Sequence, residues 1–170
     1  TYKSIIKDEL IGIFGDYDVV GASSTALLAR YFLSIKQKIR TYIPDRQTEG
    51  YGPNNGGFKN LINNGVKIIF TVDCGTLSFE PINLAQKLDV DVIVLDHHQS
   101  DIKLPNACAI INPNRYDDTS GLNYLCAVGV CFVFLVGLNK KLRDENWFKN
   151  NNIKEPNILN FLDLVSLGTV

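Results

Sequence analysis

The sequence has no methionine, one tryptophan and only two histidines among its 170 residues. No apolar run is long enough to cross a bilayer and no secretory signal pattern opens the chain, so we expect a cytoplasmic protein without membrane contact. The four cysteines lack CxxC spacing, which argues against a zinc site or a disulfide framework. A net charge of −1 excludes binding of nucleic acid by bulk positive charge alone and leaves a local groove as the remaining route.

The composition is that of a soluble globular domain, with 45% hydrophobic and 21% charged residues. This length suits one domain with a single substantial core. Because the chain has no initiator methionine and stops abruptly after Leu167–Val170, we expect residues 1–170 to be one domain of a longer protein, truncated at the C-terminal end.

Short apolar runs alternate with longer helical patterns, which is typical of βαβ units. We therefore predict an α/β fold: a mostly parallel five-stranded sheet with helices on both faces, followed by C-terminal helices over about residues 125–170. An exposed connection is expected within that part, around Lys149–Lys154. The predicted strands are Leu10–Phe14, Arg40–Ile43, Lys67–Val72, Val90–Leu95 and Ala107–Ile111, and the predicted intervening helices cover Ser24–Phe32, a segment ending near Asn64, and Pro81–Leu88.

Acidic residues and both histidines follow three of the predicted strands. Gly15–Asp18 follows the first strand, Asp73 the third, and Asp96 with His97 and His98 the fourth. Since the C-terminal ends of parallel strands lie along one edge of a sheet, these side chains are expected to converge. A pair of histidines in an arbitrary loop is more often merely solvated, and a single aspartate at a strand end is often a helix cap. Three such strand ends together favour a functional site.

Converging carboxylates repel one another unless a cation lies among them. Oxygen ligands with one or two imidazoles suit Mn²⁺ or Mg²⁺, and a carboxylate between two sites can bridge a metal pair. Such a pair activates water and stabilises the attacking and leaving oxygens at a phosphorus centre. A metal pair held at this sheet edge would therefore suit hydrolysis at phosphorus.

A turn rich in small residues, Gly21–Thr25, opens the helix after the first acidic strand end. Free backbone amides at such a turn can receive a phosphate, which makes Ser23 and Ser24 candidate substrate contacts. The alternative is ordinary helix capping by serine and threonine.

These motifs resemble those of the DHH phosphoesterase superfamily. Its first three motifs match, in order and spacing, residues 15–18, 71–75 and 95–98. Other segments resemble the RecJ-type single-strand-specific exonucleases of that superfamily, namely Ile43–Asn54, Ile111–Asn114, the helix after Tyr124 and Phe161–Val170. The resemblance covers nearly the whole chain.

The resemblance implies a 5′-to-3′ exonuclease that uses Mn²⁺ or Mg²⁺ to remove nucleotides from single-stranded DNA in repair and recombination. It further implies that the full-length protein has a single-strand-binding protein and a helicase as possible partners. The implied metal ligands are Asp16, Asp18, Asp73, which bridges, and His97, while Asp96 joins or orients them.

The resemblance also assigns residues to the substrate. His98 is expected to face the scissile phosphate and to act with Asp96 in catalysis. Arg46 is expected to clamp a phosphate and Tyr51 to stack on a base. For Arg46, a salt bridge with Asp45 or Glu49 is an equally weighted alternative.

The chain departs from the superfamily pattern at Val20, where the first motif has a third acid. The fourth motif places another acid just past a Gly-Thr-Val sequence, where this chain ends. We therefore expect a weak or absent second metal and an impaired enzyme. The alternatives are an oligonucleotide or cyclic-dinucleotide phosphodiesterase of the same superfamily, or a degenerate DHH domain that serves as a scaffold or binds single strands without cleaving them.

Overall fold

The computed structural model describes all of residues 1–170 and contains one fully parallel sheet of five strands. The spatial order is β2-β1-β3-β4-β5. The strands are β1 (Ile11–Phe14), β2 (Ile39–Tyr42), β3 (Ile68–Val72), β4 (Asp91–Leu95) and β5 (Ala109–Ile111). The central strands β1 and β3 are buried along their whole length, as expected of a sheet that is covered on both faces.

Helices cover both faces of the sheet. They are α1 (Tyr2–Ile6), α2 (Val19–Ser34), α3 (Asn55–Asn63), α4 (Phe79–Lys87), α5 (Ala127–Asp144), α6 (Trp147–Asn150) and α7 (Leu162–Leu167), with a 3₁₀ helix at Ile158–Phe161. Alternate residues of the strands point to opposite faces, so Ile68 and Phe70 pack with α2 and α5, whereas Ile69 packs with α3 and α4. Two apolar cores, one on each face, therefore fix the register of the sheet.

The chain changes direction across the sheet at β1. It passes from β1 to β2 on one side and then returns to β3 on the other side of β1. In open α/β sheets a crevice forms at such a reversal, outside the carboxyl ends of the two strands, and ligands bind there. The topology therefore places the candidate site beyond Phe14 and Val72, the last residues of β1 and β3.

The predicted α/β class, the five parallel strands and the helices on both faces are confirmed. Strand boundaries differ from the predictions by no more than two residues, and the largest difference is at β5. The short helices α1 and α6 were not predicted, and α6 reaches Asn150 in the segment expected to be an exposed connection. All four cysteines are free, with Cys74 and Cys131 buried, and no helix is both long and apolar enough to span a membrane.

Candidate metal centre and nucleic-acid site

The acids and histidines after β1, β3 and β4 meet at one edge of the sheet. Ligand atoms of Asp73, His97 and His98 lie within 4.8 Å of one another, and those of Asp16, Asp18 and Asp73 form a second group by the same measure. Asp73 belongs to both groups, so its carboxylate lies between two potential cation positions. This is the arrangement in which one carboxylate can bridge a metal pair.

Asp73 is buried without a full set of partners. Its side chain is 2% exposed and its backbone is left-handed, with φ of +59°, a conformation that non-glycine residues adopt at a cost and that clusters at functional sites. Oδ1 lies 3.2 Å from Nε2 of His97 but makes no hydrogen bond of acceptable geometry. Burial raises the pKa of Asp73, His97 opposes this in part, and the negative charge of Asp18 raises it further. A cation would relieve both the missing partner and the repulsion.

Asp16 and Asp18 reach the cluster from the loop between β1 and α2. Asp16 is buried, accepts a hydrogen bond from the backbone N–H of Tyr17 at 2.7 Å, and has a pKa that burial raises. Asp18 caps α2, because its Oδ1 accepts from the N–H of Gly21 at 2.8 Å, which leaves Oδ2 for another partner. A Cβ at Gly21 would lie 2.5 Å from Cβ of Asp16, so only glycine allows this close approach of α2. Val20 in the same first turn contributes no ligand atom.

Asp96 is saturated with hydrogen bonds. Its Oδ2 accepts from the N–H and the hydroxyl of Thr76 at 3.0 and 2.7 Å, and its Oδ1 accepts from Nδ1 of His98 at 2.7 Å and from the N–H groups of His97 and His98 at 2.8 and 3.2 Å. Burial alone would raise the pKa of Asp96, but the hydrogen bonds from His98 and Thr76 outweigh it and lower this pKa to about 2. Of the two predicted roles, the geometry favours orienting the loop over metal ligation.

His98 is oriented by this bond. With Nδ1 on Asp96, its Nε2 faces the cluster, 3.4 Å from the hydroxyl of Tyr51. The hydrogen bond to Asp96 raises the pKa of His98, while burial opposes the rise. The imidazole of His97 lies beside it, with ring centroids 4.8 Å apart. The two adjacent imidazoles thus have different partners: His97 is directed at Asp73, and His98 is held by Asp96.

Sequence reasoning missed a supporting network from the end of β5. The carboxamide Nδ2 of Asn112 donates to Oγ1 of Thr76 and to the carbonyl of His98, both at 2.9 Å. Asn114 donates through its carboxamide to the carbonyl of His97 and through its backbone N–H to Oδ1 of Asn112. These two asparagines therefore hold the backbone of His97 and His98 in place. The available signal was a pair of polar residues at the end of a fifth predicted strand, at the same edge as the acids.

Arg46 and Tyr51 lie beside the cluster in an aromatic array. The guanidinium carbon of Arg46 lies 5.2 Å from the ring centroid of Tyr17, and the rings of Tyr17 and Tyr51 meet edge to face at 6.5 Å. The hydroxyl of Tyr51 donates to the carbonyl of Asp73 at 3.3 Å. The alternative salt bridges of Arg46 are absent: Glu49 accepts from the N–H of Asp45, and Asp45 accepts from neighbouring backbone groups. Arg46 is therefore free to meet an anion.

The predicted substrate contacts at Ser23 and Ser24 are corrected by the structure. Both serines lie within α2, 4% and 0% exposed, because capping by Asp18 begins the helix at Val19 rather than after the turn. The hydroxyl of Ser24 donates to the carbonyl of Val20 at 2.7 Å. The helical alternative for this segment is the observed one, and the two serines do not face the site.

This parallel α/β fold, with clustered aspartates and histidines at the switch point, is that of a DHH-family domain. The model of the DHH family, N-terminal domain, matches residues 10–169, and the chain belongs to that family.

Several relatives narrow the comparison. The chain is 39% identical over 170 residues to the single-stranded-DNA-specific exonuclease RecJ of Escherichia coli (strain K12), covering 99% of this chain and 30% of that protein. It is 34% identical over 168 residues to the RecJ of Bacillus subtilis (strain 168), covering 99% of this chain and 20% of the relative. A crystal structure of exonuclease RecJ bound to manganese superimposes with a TM-score of 0.82 at 26% identity, covering 99% of this chain and 40% of that one. The chain thus spans less than a third of the length of these two sequence relatives.

Proposed function

We propose that residues 1–170 form the DHH catalytic domain of a RecJ-type exonuclease, which hydrolyses phosphodiester bonds of single-stranded DNA in the 5′-to-3′ direction. The observation that carries this proposal is the pair of ligand groups that share Asp73. The substrate class is supported by the similarity to proteins named single-stranded-DNA-specific exonucleases.

The donor set fits a divalent cation. Three carboxylates and an imidazole are the ligands that Mn²⁺ accepts, and Mg²⁺ accepts the carboxylates. Asp16, Asp18 and Asp73 would hold one ion, and Asp73 with His97 would hold the other. Oδ1 of Asp73, which is buried without a hydrogen bond, would be stabilised most by a bound ion. When bound, the metal supplies Lewis-acid stabilisation of the phosphate and activation of water.

The chain's own residues orient the substrate and balance its charge. His98, whose pKa is raised by Asp96, donates from Nε2 to a phosphate oxygen and offsets the charge that develops in the transition state. Asp96 acts as a positioning residue, since its bond to Nδ1 sets which nitrogen faces the phosphate. Arg46 binds a second phosphate with its planar donors, and Tyr51 offers its half-exposed ring to a base.

A degradation assay tests this function directly. Single-stranded DNA labelled at its 3′ end, incubated with Mn²⁺ and the full-length protein that contains this domain, should be shortened stepwise from its 5′ end as mononucleotides are released. His98→Ala should slow release by about a hundredfold or more, the loss expected when one oxyanion-stabilising donor is removed. Asp118→Asn, an acid outside the cluster that accepts from Ser120, serves as the control.

Other outcomes would support the other functions. Faster cleavage of a cyclic dinucleotide than of a long strand would indicate the other phosphodiesterase class. If neither the unmodified protein nor Val20→Asp hydrolyses single strands in Mn²⁺ although both bind them, the domain is the non-catalytic scaffold.

Val20 bears on the number of metal ions. Calorimetry with Mn²⁺ should find one strong site in the unmodified chain, and Val20→Asp should strengthen the second by about tenfold or more, because a carboxylate replaces a side chain without lone pairs. Two strong sites in the unmodified chain would contradict the expected impairment.

The proposal extends to the cellular context. A single-strand-specific nuclease needs single strands, which a helicase produces and a single-strand-binding protein covers, so these two are the proposed partners in DNA repair and recombination in the cytoplasm. Cross-linking of the protein in cells, followed by identification of the captured proteins, tests this part separately.

A further inference from the structure

A cavity lies beside the metal cluster, on the α4 side of the sheet. Its volume is about 250 Å³, and it is lined by Tyr51–Pro53, Cys74–Ser78, Asp96, His98 and Gln99. Four of these residues, Tyr51, Thr76, Asp96 and His98, also belong to the site described above. A ligand in the cavity would therefore be continuous with a phosphate at His98.

The walls of this cavity are mostly apolar or uncharged. Leu77 stands at the rim with 50% of its surface exposed, although it is a large apolar residue in a tight turn. Tyr51 also lines the cavity and is 58% exposed. Gly75, whose φ is +111°, adds only backbone to the lining. The lining carboxylate, Asp96, has both oxygens engaged by hydrogen bonds.

Polar groups occur at the edge of the cavity. Gln99 presents a carboxamide, which both donates and accepts, and the hydroxyl of Ser78 makes no capping bond to α4. A volume below the about 300–1,000 Å³ usual for drug-sized ligands leaves room for one ring system rather than an oligonucleotide. A flat, neutral heteroaromatic ring with polar edges fits these features.

We propose that this cavity, which we call the Leu77 pocket, receives the nucleobase of the nucleotide whose phosphate lies at the metal cluster. This inference rests on the proposed function. Leu77 and Tyr51 contact the faces of the base, and Gln99 and Ser78 meet its edge. Because every base has a flat π-face, contact of this kind gives the pocket no strong preference among the bases.

An abasic scan tests the pocket. Short 5′-phosphorylated oligothymidylates, each with one abasic residue at a different position, are titrated into the protein with Ca²⁺ in place of Mn²⁺ to limit cleavage, and binding is followed by fluorescence anisotropy. One position should weaken binding by about tenfold, the scale of one lost base contact, and its neighbours should matter less.

Variants assign that position to the pocket. In Leu77→Ser, the intact strand should bind about as weakly as the abasic one, so that the difference between them disappears. Leu88→Ser is the matched control, because Leu88 is exposed to a similar extent, 46%, at the opposite end of α4. Gln99→Ala should reduce the difference partially.

The outcomes separate the pocket from the proposed function. Equal binding of all abasic strands, or a difference that persists unchanged in Leu77→Ser and Gln99→Ala, would overturn the pocket while leaving the exonuclease in place. Failure of the protein to bind any single strand would overturn both.

Discussion

Asp73 and Asp96 are the same residue type at the ends of neighbouring strands, yet their surroundings are opposite. Both are almost fully buried, at 2% and 1% exposure. Asp96 accepts hydrogen bonds on both oxygens and its pKa is lowered to about 2, whereas Oδ1 of Asp73 has no hydrogen bond and burial raises the pKa of Asp73. The hydrogen-bonding capacity of Asp96 is satisfied within the protein, whereas that of Asp73 is satisfied only when a ligand binds.

The difference arises from what each carboxylate faces. Asp96 is surrounded by donors from Thr76, His97 and His98, so that its negative charge is stabilised within the protein. Asp73 faces Asp18, whose charge adds to the cost of burial. A buried negative charge with only His97 to offset it is costly, which is why a cation suits Asp73 and none is needed at Asp96.

Replacing Asp73 should have the largest effect, because it belongs to both ligand groups. Asp73→Asn should lower Mn²⁺ affinity by at least about a hundredfold, and it should make the metal-free protein more stable, since a buried charge is removed. Calorimetry and thermal unfolding with and without EDTA measure the two effects. Asp118→Asn should change neither. A metal-free Asp73→Asn protein that is less stable than the parent would show that Asp73 is already satisfied.

Removing Asn112, which holds the Thr76 side chain that donates to Asp96, should have the next largest effect. Asn112→Ala removes the bonds to Thr76 and to the carbonyl of His98, so we expect a loss of about 2–3 kcal/mol in the free energy of unfolding. Mn²⁺ affinity should fall by about 10- to 100-fold, as expected when a group that orients ligands is lost. The readouts are urea unfolding and Mn²⁺ titration. Unchanged Mn²⁺ affinity in a destabilised protein would limit Asn112 to a structural role.

The contrast between the two aspartates shows how far the sequence is informative. Apolar periodicity predicted the five strands, and the common edge of a parallel sheet predicted that Asp16, Asp73 and the histidines converge. The state of each carboxylate was not predictable, because both donors to Oδ2 of Asp96 belong to Thr76, 20 positions away in the chain, and Thr76 is itself held by Asn112. The interpretation of Ser23 failed for a local reason, since capping by Asp18 starts α2 at Val19.

Asp96 should also give the protein a distinct response to acid. Its folded pKa of about 2 lies below the ordinary value of 3.8, so its stabilisation is fully present above the ordinary value and is lost as the pH falls from there towards 2. The amount at stake is about 2 kcal/mol. Urea unfolding of the metal-free protein across this range, compared with Asp96→Asn, measures it. If the two proteins lose stability in parallel, the carboxylate is not charged and hydrogen-bonded as described.

The smallest expected effect concerns Arg46, whose charge acts on Asp16 and which therefore lies near the ligand group of Asp73 rather than near Asp96. The ring of Tyr17 holds its guanidinium at 5.2 Å, a contact worth about 0.5–1 kcal/mol at an exposed site. Tyr17→Leu should therefore weaken binding of a 5′-phosphorylated oligothymidylate by about two- to fivefold, whereas Tyr17→Phe keeps the ring face and should bind like the parent. In an Arg46→Gln background, Tyr17→Leu should have no further effect. An equal loss in Tyr17→Phe would assign the effect to the hydroxyl instead, and Arg46 would then owe its position to other contacts.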